Sequence, residues 1–286
     1  MVLANNWVDY EIIATGNGYK LERWKNVTLL RPDPQVIWPE QQKLNSYKNL
    51  NAKYVRSETG GGRWDKLKDF PESWVISYGE LKFLIKPMGF KHTGLFPEQA
   101  ANWDKMSMLI KNANRPINVL NLFAYTGGAT VACLKAGASV CHVDAAKGMV
   151  ERAGENCRLS QVGDGKVRFI IDDCLKFVQR EIRRGKKYDA IIMDPPSFGR
   201  GPNGETWKIE QELFGLVKTC TQVLSDNPLF FLINSYTTGL QPQVIKNILT
   251  LNMSAYGGKI DAYEIGLPTL ENIALPCGCS GIWTEN

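Results

Sequence analysis

Histidine is nearly missing from this chain: His92 and His142 are the only two in 286 residues. That scarcity argues against a zinc centre, and no metal site is expected. Nor is there an apolar run near the roughly 20 residues needed to span a membrane. The opening Met1-Val2-Leu3-Ala4-Asn5-Asn6-Trp7 has neither the basic start nor the long apolar stretch of a signal peptide. Cysteine is sparse and odd in number, seven in all, with Cys277-Gly278-Cys279 the one close pair. Scattered thiols of this kind suit a reducing compartment, and a cytoplasmic protein is expected. Internal repeats and low-complexity tracts are absent as well.

What is present is unevenly placed. Residues 1–115 hold 17 Lys and Arg against 12 Asp and Glu, whereas residues 116–286 hold 17 of each. Five of the eight tryptophans also precede residue 80. Basic charge mixed with aromatics suits nucleic acid, because phosphates attract cations and bases stack on flat rings. The plainer alternative is a small β domain with a tryptophan core and lysines snorkelling outward. Short β-type segments do occupy 36–86, among them Trp74–Tyr78 and Leu81–Ile85. Gly60-Gly61-Gly62, followed by Arg63-Trp64, reads as a loop between them. Residues 1–85 are therefore expected to form a small β-rich domain.

From about residue 92 strands and helices alternate, the pattern of a parallel α/β sheet, and 86–286 is read as one such domain. Strands are expected at Ile117–Phe123, Ser139–Val143, Val167–Ile171, Tyr188–Met193 and Leu229–Ile233. Helices are expected from Ala129, over Ala145–Leu159 and Leu175–Arg184, and from Trp207 to Leu224. Each strand ends in polar residues, along the edge where open α/β sheets bind ligands.

The turn Phe123-Ala124-Tyr125-Thr126-Gly127-Gly128 brings backbone close to a ligand, since glycine has no Cβ to obstruct it. Asp144, ending the next strand, can accept from ribose hydroxyls. Asp173, after Asp172 one strand further, can receive an adenine amino group. A tight turn with Asp144 capping a helix would look similar. A dinucleotide needs a third glycine so that its pyrophosphate can rest on the helix N-terminus. Thr126-Gly127-Gly128-Ala129 lacks it. S-adenosylmethionine carries no phosphate and fits better. A nicotinamide dehydrogenase would lack an obvious acid–base histidine besides.

In Tyr188-Asp189-Ala190-Ile191-Ile192-Met193-Asp194-Pro195-Pro196-Ser197-Phe198, the residue before proline is pushed out of helical geometry. Asp194 must stay extended, and the prolines stop the strand with its last carbonyls at the ligand edge. A fixed carboxylate and the Pro195 carbonyl can hold an attacking nitrogen in line with a sulfonium methyl. Phe198 can stack on a base drawn into the pocket. Arg200, between Gly199 and Gly201, and Trp207-Lys208 are candidate substrate contacts.

Taken together, Leu122–Gly128, Asp144, Asp173 and Asp194–Phe198 resemble class I methyltransferases of the large-subunit ribosomal RNA group, including cytosine-C5 and guanine-N7 enzymes. Lys91-His92-Thr93-Gly94-Leu95-Phe96-Pro97-Glu98-Gln99 is similar to a segment lining their cofactor pocket. The resemblance covers about residues 81–286. It implies a seven-stranded Rossmann-like sheet and an RNA substrate. It also implies S-adenosylmethionine contacts from Thr93, Gly94, Phe123, Tyr125, Thr126, Gly127, Gly128, Asp144, Asp172, Asp173 and Asp194. Asp194, Pro195 and Phe198 form the expected catalytic set. Two features depart from the group: no PUA domain precedes the sheet, and Asn234-Ser235 stands where cytosine-C5 relatives keep a cysteine nucleophile. A protein or small-molecule acceptor, or an RNA-binding protein without catalysis, are the competing readings. Oligomeric state is not legible.

Overall fold

The computed structural model describes residues 1–57, 61–200, 204 and 206–285. Gly60 and Gly201 lie outside the described residues. The chain divides into two compact units, one formed by Val2–Ala101 with Gly266–Cys277, the other by Asn102–Ile265 with Gly278–Asn286 and Met1. The division falls after Ala101 rather than at residue 85, and the smaller unit recruits a second, distant stretch of chain.

The smaller unit contains β1 (Val2–Leu3), β2 (Tyr10–Gly16), β3 (Tyr19–Trp24), β4 (Val27–Pro32), β5 (Ala52–Arg56), β6 (Gly62–Lys66), β7 (Trp74–Tyr78) and β8 (Leu81–Ile85). Strands β2 to β6 form a sheet in sequence order, and β7 pairs with β8 as a hairpin. Trp24 and Tyr54 are fully buried, so aromatics do fill this core. Charge is buried there too. Glu22 accepts from Arg31 Nε at 2.6 Å and from the Tyr10 hydroxyl at 2.6 Å. Burial alone would raise the Glu22 carboxyl, yet Arg31 and Lys20 beside it hold it at about 2.

The larger unit contains α1 (Ala100–Asn112), β9 (Asn118–Leu122), α2 (Gly128–Lys135), β10 (Ser139–Asp144), α3 (Lys147–Leu159), β11 (Val167–Ile171) and α4 (Cys174–Arg183). There follow β12 (Ala190–Met193), β13 (Phe198–Arg200), β14 (Thr206–Lys208), α5 (Ile209–Thr221), β15 (Phe230–Ser235), α6 (Pro242–Met253), β16 (Lys259–Pro268) and β17 (Ala274–Thr284), the residues of the last two that fall within Gly266–Cys277 counting with the smaller unit. The main sheet runs β11-β10-β9-β12-β15-β17-β16. Neighbours are parallel from β11 to β15, and β17 joins antiparallel. These are the seven expected strands. An eighth, the two-residue β1, is added beside β16, where Ala4 N–H donates to the Gly266 carbonyl and covers part of an edge.

Buried strands of a parallel sheet are continuous apolar runs because helices cover both faces. Ala190-Ile191-Ile192-Met193 and Phe230-Phe231-Leu232-Ile233 are such runs, each residue at most 2% exposed. Strand order reverses between β9 and β12, which opens a crevice at their carboxyl ends. Among the described residues no helix is long and apolar enough to cross a membrane.

Candidate active site

Register puts the expected residues on one edge. Leu122 pairs with Val143 and with Met193, Asp144 with Ile171, and Met193 with Ile233. Phe123, Asp144, Asp172, Asp194 and Asn234 thus end or follow adjacent strands. Met193, just before Asp194, stands one strand spacing, about 4.8 Å, from Leu122 and Ile233.

The glycine turn is strained and held. Phe123 and Tyr125 take φ of +53° and +51°, a left-handed conformation that bulky residues adopt at a cost of about 1–3 kcal/mol each. Phe123 N–H donates to Cys174 Sγ at 3.2 Å, and Tyr125 N–H to Asp144 Oδ2 at 2.8 Å. Gly127 (φ +82°) ends the turn and precedes α2, which has no side-chain cap. A Cβ there would lie 2.9 Å from Ala153 Cβ, and one on Gly128 would lie 2.6 Å from the Trp103 ring. Both glycines are therefore required by packing against α3 and α1.

Asp144 does double duty: Oδ1 accepts Ala146 N–H at 2.8 Å while Oδ2 holds Tyr125. One acceptor site per oxygen is left for a ligand hydroxyl. Asp144 is not the helix cap. Asp173 is, its Oδ1 accepting Lys176 N–H at 2.8 Å at the start of α4. Asp172 Oδ1 accepts Asp173 N–H and its other oxygen pairs with Arg180.

Beneath the turn lies a polar network that the sequence reading missed. Thr130 Oγ1 accepts from Asn121 Nδ2 and lies 2.9 Å from His142 Nδ1, and Asn156 Nδ2 donates to the Thr126 carbonyl at 2.8 Å. All four side chains are buried. Burial pushes the His142 imidazole down to about 4, so it is neutral at pH 7. Asn121 and His142 interrupt otherwise apolar strands, and that interruption was the available signal.

Beyond β12, Asp194 is half-buried and Pro195 buried. The loop is fixed from outside: Trp207 Nε1 donates to the Pro196 carbonyl at 2.6 Å, Ile209 N–H to the Ser197 carbonyl, and Ser197 Oγ lies 2.6 Å from Thr237 Oγ1. Phe198 is 52% exposed on β13. The helix expected from Trp207 begins only at Ile209, because Thr206–Lys208 pairs with β13 instead. Asn234 is buried, its Oδ1 accepting from Asn102 Nδ2 at 3.0 Å and Ser280 Oγ at 2.7 Å. No cysteine faces this edge openly. All seven are free; six are buried and Cys277 is partly buried. Burial raises the Cys279 thiol to about 11, and it donates to the Leu240 carbonyl.

Thr93 and Gly94 belong to the smaller unit. Arg31 donates to the Lys91 carbonyl at 2.9 Å just before them, and Lys86 N–H donates to the Thr93 carbonyl. Thr93 Oγ1 is buried without a hydrogen-bond partner among the described residues, and Gly94 has φ +93°. Two surface hollows of about 480 Å³, lined by Trp38, Glu271 and Ile273 and by Lys105, Asp261 and Ile282, include none of the strand-end residues.

A family model described as S-adenosylmethionine-dependent methyltransferase matches residues 52–229. The chain belongs to that family. A solved S-adenosylmethionine-dependent methyltransferase from Agrobacterium tumefaciens has a TM-score of 0.92 and 32% identity, covering 99% of this chain and 92% of that one. A methyltransferase complexed with SAH shares the fold, with a TM-score of 0.77 at 17% identity over 98% of this chain and 76% of that one. Ribosomal RNA large subunit methyltransferase K/L of Syntrophotalea carbinolica is 28% identical over 65% of this chain. The chain spans only 26% to 32% of the length of this and the next curated relatives it matches. Asp144, with acceptor capacity left on both oxygens, fits the ribose hydroxyls of the cofactor. S-adenosylmethionine supplies an electrophilic methyl on sulfur when bound.

Proposed function

We propose that the enzyme methylates a base of ribosomal RNA, at a nitrogen rather than at cytosine C5. Asp144 and Asp173 would receive the ribose hydroxyls and adenine amino group, with Phe123 and Tyr125–Gly128 lining the remainder. Asp194 and the Pro195 carbonyl would accept hydrogen bonds from the acceptor amino group and point its lone pair along the sulfur–methyl axis. A ring or exocyclic nitrogen attacks the methyl directly. Carbon C5 of a pyrimidine must first be activated by a covalent thiolate adduct.

The observation carrying this reading is the strand end after β15. Asn234 there is tied to Asn102 and Ser280, and the nearby Cys279 thiol is buried and held protonated near neutral pH. The test is methylation of ribosomal RNA followed by mass spectrometry of its nucleosides. Asp194→Ala should abolish turnover while SAH binding persists, and Cys→Ser at 133, 141, 157, 174, 220, 277 and 279 should be tolerated. Covalent trapping by 5-fluorocytosine RNA that one Cys→Ser change removes would overturn the nitrogen acceptor. Methylation of no RNA would overturn the substrate.

A further inference from the structure

The chain leaving the catalytic edge forms a hairpin with two unlike faces. Phe198 opposes Lys208, Gly199 opposes Trp207, and Arg200 opposes Thr206. Side chains alternate along a strand, and directly opposed residues share a face. One face therefore carries Phe198, Arg200, Thr206 and Lys208, all exposed; the other carries only Gly199 and Trp207. The Trp207 face is turned inward. Its indole N–H holds the Pro196 carbonyl, and its ring centroid lies 6.0 Å from that of Phe123 in the glycine turn.

We propose that the outward face of this hairpin receives the RNA strand flanking the methylated base, a proposal that rests on the RNA reading above. The Arg200 guanidinium lies 5.9 Å from the centre of the Phe198 ring, so a flat cation and a flat ring share one surface. Nucleobases stack on both kinds of group, and ring faces accept any base. Lys208, across from Phe198, supplies a point charge for phosphate, and the Thr206 hydroxyl a donor. Neither Arg200 nor Lys208 has a carboxylate partner among the described residues, and no described residue on this face is acidic. Exposed aromatic surface beside these cations is complementary to single-stranded RNA. Because Trp207 anchors the same hairpin to the Asp194–Pro196 loop, a strand lying here would run directly beside the acceptor position. Two residues expected to act alike thus separate: Lys208 faces out, whereas Trp207 is a positioning residue.

The test is the double variant Arg200→Glu/Lys208→Glu in the full chain, with both changes at exposed positions. Binding of a fluorescein-labelled single-stranded RNA is followed by anisotropy across a salt series, SAH binding by calorimetry, and folding by thermal melting. RNA affinity should fall at least tenfold and the salt slope should shrink by about one to two, as phosphate contacts are lost. SAH affinity and melting temperature should not change. RNA binding by the parent chain that survives the double reversal, with the same salt slope, overturns this surface alone. A parent chain that binds no RNA overturns the RNA acceptor and this surface together.

Discussion

Asp144→Asn is the sharpest probe of the site, because it keeps the shape of the side chain and removes one acceptor. In the parent each carboxylate oxygen takes one backbone N–H, from Tyr125 and Ala146, both at 2.8 Å. Asparagine offers one oxygen, so its amide N–H₂ must face the other donor. A hydrogen bond to a charged group is worth about 1.5–3 kcal/mol. Asp144 is half-buried, which favours the lower end, about 1.5 kcal/mol. For a chain of this size that lowers the melting temperature by about 2–3 °C without ligand. Binding of SAH should weaken about 10- to 100-fold, since a ribose hydroxyl loses a charged acceptor and the left-handed Tyr125 loses its tether. Calorimetric titration and ligand-free melting read the two effects separately. An unchanged melting temperature would refute the structural grip on the turn; an unchanged affinity would refute the acid as a cofactor ligand.

Gly127→Ala should cost about 1–2 kcal/mol for the left-handed backbone, and about 1–3 kcal/mol more for the methyl 2.9 Å from Ala153 Cβ, measured by urea unfolding. Adding Ala153→Gly should recover only the packing share; full recovery would show that the backbone cost is absent. Stability should also fall with acid. His142 is held neutral by burial, with a folded value of about 4 against an ordinary 6.5, so the unfolded chain binds the extra proton first. Its share, about 3 kcal/mol, is complete above pH 6.5 and lost as pH falls toward 4. Urea midpoints for His142→Gln that follow the parent pH slope over this range would count against it.

The parallel half of the sheet was legible in the sequence. Val167–Ile171 matches the observed strand at both ends although this edge strand is largely exposed, and the inner strands agree within two residues or so, because a doubly covered strand is a continuous apolar run between turn residues. The small unit was harder to read. Strands β3 and β4 carry Glu22 and Arg31 inside, and a charged residue buried by a partner nine positions away reads as surface. The start of α5 was misplaced for a related reason. Trp207 has the composition of a helix start, but pairing with Gly199 across a turn is a contact that no local window contains. At the site, the strand-end acids were found by position alone. Which of them caps a helix was not, since Asp144 and Asp173 both precede helices and only the backbone path decides between them.

The burial of the thiols gives this enzyme an internal clock. Six cysteines sit in the larger unit, and Cys277 alone belongs to the smaller. At the six buried positions a thiolate forms only after the surrounding layer has opened, so their alkylation in the native chain counts openings rather than surface encounters, with the partly buried Cys277 as the faster reference. Peptide mapping after brief alkylation would time the breathing of the larger unit, residue by residue, in a chain that carries no added label.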